Sequence, residues 1–285
     1  MSFEKKKKIY SHSRLSTFEQ CPFKFKLRYI EKIEPTIEQT IEAHLGSMIH
    51  KTLEWIYEQI MNKHIPTIDE VITTYSVKWQ ESYNNDTLIV KKQLTQKDYF
   101  NKGVGFLTNY YLTHSPFDED TLEVEKRIII DLDEEGNYQI QGFIDRLVYN
   151  SDTDEYEIHD YKTANNLPRK ETIDNDRQLA LYSIAIKELF GKEKEVCLVW
   201  HYLAHNKKIC SRRTNEQLLQ LKNETLELIK QIESTQGFQT KRSTLCNWCE
   251  YKEYCPEFGG KIPSKEKQTE LTGDKISDEE LLNIW

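Results

Sequence analysis

Residues 142–162, GFIDRLVYNSDTDEYEIHDYK, predict two paired β-strands separated by a turn-rich segment, and the rest of the chain can be arranged around them. Each strand carries an aspartate, Asp145 or Asp160, within a run of β-branched and aromatic residues. Asp160 and Lys162 are two positions apart, so their side chains point to the same face of the sheet. On the first strand, the alternation places on one face Ile140, Gly142, Ile144, Arg146 and Val148. Two carboxylates and one ammonium on paired strands indicate a site for a hard divalent cation and a phosphate.

Helical and strand periodicities alternate on both sides of this hairpin. The predicted elements are a helix at 40–63, strands at 122–132, 138–149 and 156–162, a helix from Asp174 or Asn175 to Gly191, strands at 196–204 and 209–213, and a helix at 216–233. The order helix, three strands, helix, strand predicts an α/β fold in which helices flank a mixed central sheet.

The segment at 10–34 is also predicted to be helical. Ser13 or Ser16 can cap a first helix, and Pro22 can start a second one. Residues 65–115 continue the helical pattern without a recognisable catalytic signature, so we interpret them as a helical insertion.

Composition limits the class of protein. The chain has 285 residues, of which 38% are hydrophobic and 30% charged, as in globular proteins. It contains no apolar run of transmembrane length and no signal peptide at its start, so we expect a cytoplasmic protein without a membrane partner. The net charge of −8 argues against non-specific coating of nucleic acid.

Charge is nevertheless uneven along the chain. Residues 1–34 hold nine lysines and arginines against four glutamates, and aromatic residues lie between them. Such a segment can follow a phosphate backbone and stack bases. The alternative is a solvated helix with an apolar face. The interleaved aromatic residues are Phe18, Phe23, Phe25 and Tyr29.

Candidate metal ligands extend beyond the hairpin. His50 lies in the helix predicted before the strands, and its ring nitrogen suits Mn²⁺ as well as Mg²⁺. Asp145 and Asp160 supply carboxylate oxygens, and Lys162 can orient a hydroxide or balance charge on a phosphate. The alternative is structural: Asp145 would pair with Arg146 or Lys162, and Asp160 would belong to a turn.

Four short motifs in this order resemble the RecB-like branch of the PD-(D/E)XK nuclease superfamily: GSMIH (46–50), GFID (142–145), HDYKT (159–163) and QLALY (178–182). The resemblance implies a restriction-endonuclease-like mixed sheet. It also implies that His50, Asp145 and Asp160 bind the metal with the Tyr161 carbonyl, that Lys162 serves the attacking water, and that Gln178 and Tyr182 support the site and contact substrate. Glu54, four residues after His50, is a weaker candidate.

The cysteines suggest a second site. Cys246, Cys249 and Cys255 form a compact C-x2-C-x5-C loop, no histidine follows position 205, and Cys21 is the natural fourth ligand. The arrangement resembles the [4Fe–4S] site of AddB-type and CRISPR-associated RecB-like exonucleases, which would join the two ends of the chain. Zn²⁺ on the same thiolates is the alternative. Cys197 and Cys210 are interpreted as small buried hydrophobic residues.

The resemblance implies a metal-dependent DNA exonuclease, a PD-(D/E)XK-type deoxyribonuclease that hydrolyses single-stranded or frayed ends in DNA repair or recombination. Because the chain lacks a G-x4-G-K-[ST] phosphate loop, unwinding would require a separate helicase. One alternative is a nuclease that trims spacers within a CRISPR adaptation complex. Another is a non-catalytic DNA-end-binding subunit of a helicase–nuclease assembly.

These assignments divide the chain into one RecB-like nuclease domain and a tail. The domain would span 1–258, and residues 259–285 would form a charged, flexible tail. Within the domain we expect a basic N-terminal region at 1–36, the insertion at 65–115, a catalytic core at 120–213 and a cluster loop at 241–258.

Overall fold

The computed structural model describes residues 7–263 and contains one six-stranded sheet with helices on both faces. The strands are β1 (Lys8–Ser11), β2 (Asp120–Asp131), β3 (Tyr138–Asn150), β4 (Glu155–Lys162), β5 (Glu195–Tyr202) and β6 (Lys207–Ser211). The helices are α1 (His12–Gln20), α2 (Pro22–Phe25), α3 (Ile41–Met61), α4 (Ile68–Ser82), α5 (Gln96–His114), α6 (Lys170–Asp174), α7 (Arg177–Phe190) and α8 (Asn215–Ser234).

The sheet is mixed, as predicted. Strand β3 is antiparallel to β2 and β4, β4 is parallel to β5, and β5 is antiparallel to β6. The order α3, three strands, α7, β5 also matches the predicted order, with the short α6 inserted before α7. The predicted α/β fold with a central mixed sheet is therefore confirmed.

The N-terminal strand β1 was not predicted. It pairs in parallel with β3, and Ser11 rather than Ser13 or Ser16 caps α1 by accepting a hydrogen bond from the Arg14 amide at 3.2 Å. A four-residue strand is too short to show periodicity in sequence, so only its pairing partner reveals it. The predicted second helix does begin at Pro22.

Strand β3 has three partners on two edges. Strand β2 runs along one edge. On the other edge β1 pairs with residues 138–141 and β4 pairs with residues 146–150. The intervening residues, 142–145, have no strand partner on that edge within the described chain. The sheet therefore has an internal gap beside the GFID motif.

Two apolar cores lie against the sheet. The first joins α1, α7 and α8 to the strands, and the second joins α3, α4 and α5 to Tyr161 and Leu203. The helices of the predicted insertion thus pack on α3, where Tyr75 and Trp79 are buried. Burying aromatic rings of this size removes a large apolar area from water and supports α3, which carries His50.

The predicted strict alternation along the first hairpin strand is wrong after Ile144. Ile144 and Leu147 both belong to the first core although they are three residues apart. Arg146 instead lies on the opposite side, where its guanidinium carbon is 4.0 Å from the centre of the Tyr57 ring of α3. The break in alternation falls at Asp145, so this residue lies where the strand passes from one core to the other.

Two of the four N-terminal aromatic residues are not exposed for base stacking. Phe18 and Phe25 are buried and pack edge to face at 5.4 Å, so the prediction that they stack bases is wrong. Nearby cations are engaged within the protein: Lys24 pairs with Glu250 at 2.8 Å, and Lys26 is close to Glu31. The alternative, helices with a buried apolar face, describes this segment better. Lys5 and Lys6 lie outside the described residues.

Two cysteines differ from their predicted state. Cys197 of β5 and Cys210 of β6 are joined by a disulfide, with their Cα atoms 6.2 Å apart. Cys197 is buried as expected, but Cys210 is exposed, so the interpretation of both as buried free thiols is wrong. The two strands are antiparallel neighbours, which brings residues 13 positions apart together.

The described C-terminal segment returns to the N-terminal helices. Tyr251 is buried with Leu27 and Ile33, and the Thr36 amide donates to the Glu250 carbonyl at 3.2 Å. From residue 264 onward the predicted tail lies outside the described residues. Within 7–263, no helix is long and apolar enough to cross a membrane.

Candidate active site

Strands β3 and β4 separate at the two predicted aspartates. Their last pair joins Arg146 to His159, so Asp145 and Asp160 face each other just beyond the ladder. Instead of a backbone carbonyl, the Asp145 Oδ2 atom accepts the Tyr161 amide at 3.0 Å. The carboxylate thereby replaces a ladder hydrogen bond and holds the strands apart.

Helix α3 places His50 against this opening. The His50 Nδ1 atom lies 3.2 Å from Asp145 Oδ2, and its Nε2 atom lies 2.8 Å from the Tyr161 carbonyl oxygen. Both ring nitrogens thus face acceptors, an arrangement that suits a protonated imidazole in the metal-free protein. Predicted ligands from a helix and two strands are therefore adjacent.

The electrostatics of His50 and Asp145 agree with this geometry. Burial by itself lowers the pKa of His50, but the Asp145 carboxylate and the nearby Asp160 outweigh it and raise that pKa to about 9. Burial raises the pKa of Asp145, and the charges of His50 and Lys162 together with the Tyr161 amide reverse the shift and lower it. The metal-free pair is therefore ionic.

Glu125 of β2 completes a group that sequence reasoning missed. Among the described residues, His50, Glu125 and Asp145 form a group whose possible ligand atoms all lie within 4.8 Å of one another. Glu125 is half-buried, and its backbone has φ of 45°, in the left-handed region that residues other than glycine rarely adopt. Burial and the charges of Asp145 and Glu54 raise the pKa of Glu125 to about 7.

The pairing register of the predicted strands 122–132 and 138–149 is the sequence feature from which Glu125 could have been identified. Val124 pairs with Arg146 and Lys126 pairs with Ile144, so Glu125 stands opposite Asp145. Opposite residues of an antiparallel pair share a face. Pairing 122–132 with 138–149 in the correct register would have identified this carboxylate.

Asp160 and Lys162 form a second, adjoining pair. The Lys162 Nζ atom lies 2.7 Å from Asp160 Oδ2 and 3.4 Å from Gln178 Oε1 of α7. Burial and the Asp145 carboxylate raise the pKa of Asp160, whereas the Asp160 and Asp145 charges overcome burial and raise the pKa of Lys162. Asp160 lies outside the three-residue group, since its carboxylate is turned towards Lys162.

Tyr182 and Gly142 close the floor of the gap. The Tyr182 ring lies so near the Gly142 Cα that a Cβ atom at position 142 would collide with the phenol. The Tyr182 hydroxyl is within hydrogen-bonding reach of Gln178, and burial raises the pKa of Tyr182 to about 12. The motif glycine is therefore required for the close approach of α7 to β3.

Glu54 remains peripheral. It is half-buried one turn after His50, and burial together with the Glu58 charge raises its pKa. It influences Glu125 electrostatically but is not a member of the three-residue group.

A buried polar network lies beside the site on the face of the sheet that α3 covers. The Arg146 guanidinium donates to His159 Nδ1 at 2.7 Å and lies 2.7 Å from Glu119 Oε2. His159 Nε2 lies 2.9 Å from Glu157 Oε2. Arg146 is therefore engaged away from Asp145, and the structural alternative of an Asp145–Arg146 pair is not found.

The four predicted cluster cysteines line one cavity of about 50 Å³. Cys21 lies directly after α1, while Cys246, Cys249 and Cys255 come from the C-terminal loop, and all four are free thiols. The Ser243 amide donates to Cys246 Sγ at 3.4 Å. Burial and the neighbouring thiols of Cys21 and Cys246 raise the pKa of Cys255.

Sequence comparison defines the class of protein. Residues 9–256 match the family described as the PD-(D/E)XK nuclease superfamily, and the chain belongs to that superfamily. Nucleases of this class use divalent metals, and the group formed by His50, Glu125 and Asp145 fits such an ion. A comparison with curated proteins gave no match.

Two solved structures are similar over nearly their whole length. A protein named "SSO0001" is 12% identical, with 92% of this chain and 91% of that chain covered and a TM-score of 0.40. A protein from Eubacterium rectale named "Putative exonuclease" is 11% identical, with 93% of each chain covered and a TM-score of 0.45. Identity and TM-score are low in both cases, so no function is inferred from either protein.

Proposed function

We propose that this chain is a metal-dependent DNA exonuclease of the RecB-like branch, acting on single-stranded or frayed ends in cytoplasmic DNA repair or recombination. The main observation in support is that two groups of side chains lie next to each other at the gap in the sheet. His50, Glu125 and Asp145 offer ligands to a cation, and Asp160 with Lys162 lies directly beside them.

A divalent cation fits the first group. One imidazole and two carboxylates suit Mn²⁺ or Mg²⁺, and the Tyr161 carbonyl lies next to the His50 ring as a further oxygen ligand. Asp160, whose carboxylate contacts Lys162, would be a further oxygen ligand. When bound, the cation would activate water and neutralise phosphate charge.

Lys162 acts through its charge in this proposal. Because neighbouring carboxylates raise its pKa, it stays an ammonium and cannot take a proton from water at neutral pH. It instead orients the attacking water and stabilises charge that develops on the phosphate. Gln178 holds the ammonium at 3.4 Å, and Tyr182 fixes α7 against β3.

We propose a [4Fe–4S] cluster at the four cysteines. A tetrahedral Zn²⁺ site with bonds of about 2.3 Å needs sulfur atoms about 3.8 Å apart. Within residues 7–263, the only group of three ligand atoms mutually within 4.8 Å is the one around His50, so no three of the thiols are that close, which favours a cluster over zinc. A [4Fe–4S] cluster uses four thiolates as ligands, the number available here.

The cluster would be structural. It would join the end of α1 to the C-terminal loop across 225 residues of sequence between Cys21 and Cys246. In this proposal residues 1–258 form one nuclease domain with 65–115 as a helical insertion. DNA is the substrate, and a separate helicase opens duplex ends.

A digestion assay tests the activity. Purified protein is incubated anaerobically with Mg²⁺ or Mn²⁺ and with 5′- or 3′-labelled linear strands, duplexes and circular single strands. We expect linear single strands to be shortened from an end and circles to resist. Asp160→Ala should abolish cleavage, whereas Asp152→Ala, in the exposed hairpin turn, should not. Cleavage of circular strands would show that the activity is that of an endonuclease and not an exonuclease. The absence of any cleavage would overturn the proposal.

A further inference from the structure

Strands β1 and β4 end on opposite sides of the gap in the sheet. Strand β1 runs parallel to β3 and ends with Ser11 beside Gln141, whereas β4 runs antiparallel and continues past His159 towards Lys162. The carboxyl ends of both strands therefore point towards each other across residues 142–145. Lys162 stands on one side of the gap, and His12 stands on the other.

His12 is placed to face the gap. It is the first residue of α1 and directly follows Ser11, so it flanks Gly142. The charges that act on the pKa of its ring are those of Arg177, Asp176, Lys162 and Glu19. The amino end of α1 and the Lys162 ammonium both favour a negatively charged group between them.

One nitrogen of His12 has an unused hydrogen-bonding capacity. Its Nε2 atom lies 3.1 Å from Ser16 Oγ, whereas its Nδ1 atom is buried and has no hydrogen-bond partner in the described part of the chain. An unpaired buried polar atom costs free energy, so a ligand that accepts a hydrogen bond from this nitrogen would be stabilised. If the Ser16 hydroxyl donates to Nε2, the proton resides on Nδ1 and is available to an acceptor.

The nearby Arg177 is already engaged within the protein. Arg177 donates to Glu19 through two nitrogens, at 3.1 and 2.5 Å. Burial, together with the Arg177 and Lys162 charges, lowers the pKa of His12 to about 4, so its ring is neutral at physiological pH. A neutral imidazole can donate one hydrogen bond without adding charge beside Lys162.

We propose that His12 donates a hydrogen bond from Nδ1 to a non-bridging oxygen of the DNA phosphate that enters this gap. His12 would then be a substrate-contacting residue of the nuclease, opposite Lys162. The inference rests on the proposed function and adds a contact that the four motifs do not include.

Two substitutions separate the hydrogen bond from packing. His12→Phe keeps a ring of similar size without nitrogens, and His12→Asn offers an amide nitrogen near the position of Nδ1. We expect His12→Phe to lower kcat/KM on linear single strands roughly 10- to 100-fold, the range for a hydrogen bond to a charged group. His12→Asn should recover most of this loss. The control His64→Phe, at an exposed histidine remote from the gap, should leave kcat/KM unchanged.

Neutral linkages identify the phosphate that His12 contacts. Oligonucleotides with one methylphosphonate at successive positions lack the anionic oxygen there. A methylphosphonate at one particular linkage should lower the activity of the wild-type protein. The same substitution should lower the activity of His12→Phe by a smaller factor. Wild-type kcat/KM in His12→Phe would overturn the inference, as would a slow variant that keeps the wild-type sensitivity at every linkage.

A binding measurement distinguishes this inference from the proposed function. If wild-type protein does not cleave DNA with Mg²⁺ or Mn²⁺, the nuclease proposal fails. The same oligonucleotides are then titrated in Ca²⁺ against wild type and His12→Phe. Weaker binding by His12→Phe than by wild type supports the contact, if this difference disappears when one particular linkage is a methylphosphonate. Equal affinities of the two proteins overturn it.

Discussion

Glu125 stands opposite Asp145 across the β2–β3 ladder, and the two carboxylates share one group with His50. Two acids directly opposite repel each other, and Glu125 also has a left-handed backbone within a strand. Such an arrangement is stabilised when a cation lies between the carboxylates.

Glu125→Gln should weaken metal binding. The change keeps the side-chain size and removes one anionic ligand, so we expect the affinity for Mn²⁺ to fall roughly 10- to 100-fold. Isothermal titration calorimetry measures the effect. Glu123→Gln is the matched control, because Glu123 is an exposed residue of the same strand that pairs with Lys126. Equal Mn²⁺ affinities in wild type and Glu125→Gln would remove Glu125 from the ligand set.

Metal affinity should rise with pH between about 6 and 9. Binding requires a neutral imidazole and an ionised carboxylate, whereas the metal-free pKa values are about 9 for His50 and about 7 for Glu125. Mn²⁺ must therefore displace protons, and calorimetry in buffers of different ionisation enthalpy should detect their release. His50→Gln should lose the pH dependence above 7. An affinity that is constant from pH 6 to 9 would contradict the assignment.

The same shift predicts the pH dependence of stability without metal. The pKa of His50 is higher in the folded chain than its ordinary value of 6.5. Its protonation therefore stabilises the fold fully below that ordinary value, and this contribution is lost as pH rises through about 9. Denaturant unfolding in a chelator should show a smaller loss between pH 7 and 9 for His50→Gln than for wild type. Parallel pH profiles would argue against an ionic His50–Asp145 pair.

Lys162→Ala should abolish cleavage while the protein stays folded. The ammonium is engaged with Asp160 and Gln178 at the edge of the gap and supports no part of either apolar core. Circular dichroism and the melting temperature check folding, and the labelled-strand assay checks activity. Lys192→Ala, in the loop after α7, serves as a control on an exposed lysine. Wild-type cleavage by folded Lys162→Ala would refute the role of this lysine.

Arg146→Met should strongly destabilise the fold. The substitution leaves Glu119 and the histidine network without their central cation, and removing one partner of a buried ion pair costs roughly 3–5 kcal/mol. Urea unfolding measures the loss. The double variant Arg146→Met/Glu119→Gln should recover part of it, because no uncompensated carboxylate remains. If the double variant is as unstable as the single one, loss of packing on Tyr57 rather than of charge pairing explains the effect.

Cys21→Ser should remove the iron–sulphur absorbance of anaerobically purified protein. It takes one of the four thiols from the cavity and breaks the link between α1 and the C-terminal loop. Cys210→Ser is the matched control, because Cys210 belongs to the β5–β6 disulfide and not to the cavity. A wild-type spectrum without iron–sulphur absorbance, or with zinc found by metal analysis, would contradict the cluster.

The sequence by itself determined the elements and the residues within motifs. Apolar periodicity located α3, the three-strand meander and α7, because side-chain spacing along one helix or strand is a local property. Spacing likewise placed Asp160 and Lys162 on one face, where they now lie 2.7 Å apart. The four-cysteine set also followed from spacing and from the absence of other local ligands.

Only the tertiary structure decided which distant groups meet. The register of β2 on β3 brought Glu125 to Asp145, and the shared edge of β3 brought His12 to the gap opposite Lys162. It also buried Phe18 and Phe25, which the sequence allowed to be exposed. Strand register depends on contacts between separate segments, 20 positions apart for Glu125 and Asp145 and 130 positions apart for Ser11 and Gln141, and the pattern within one segment does not determine it.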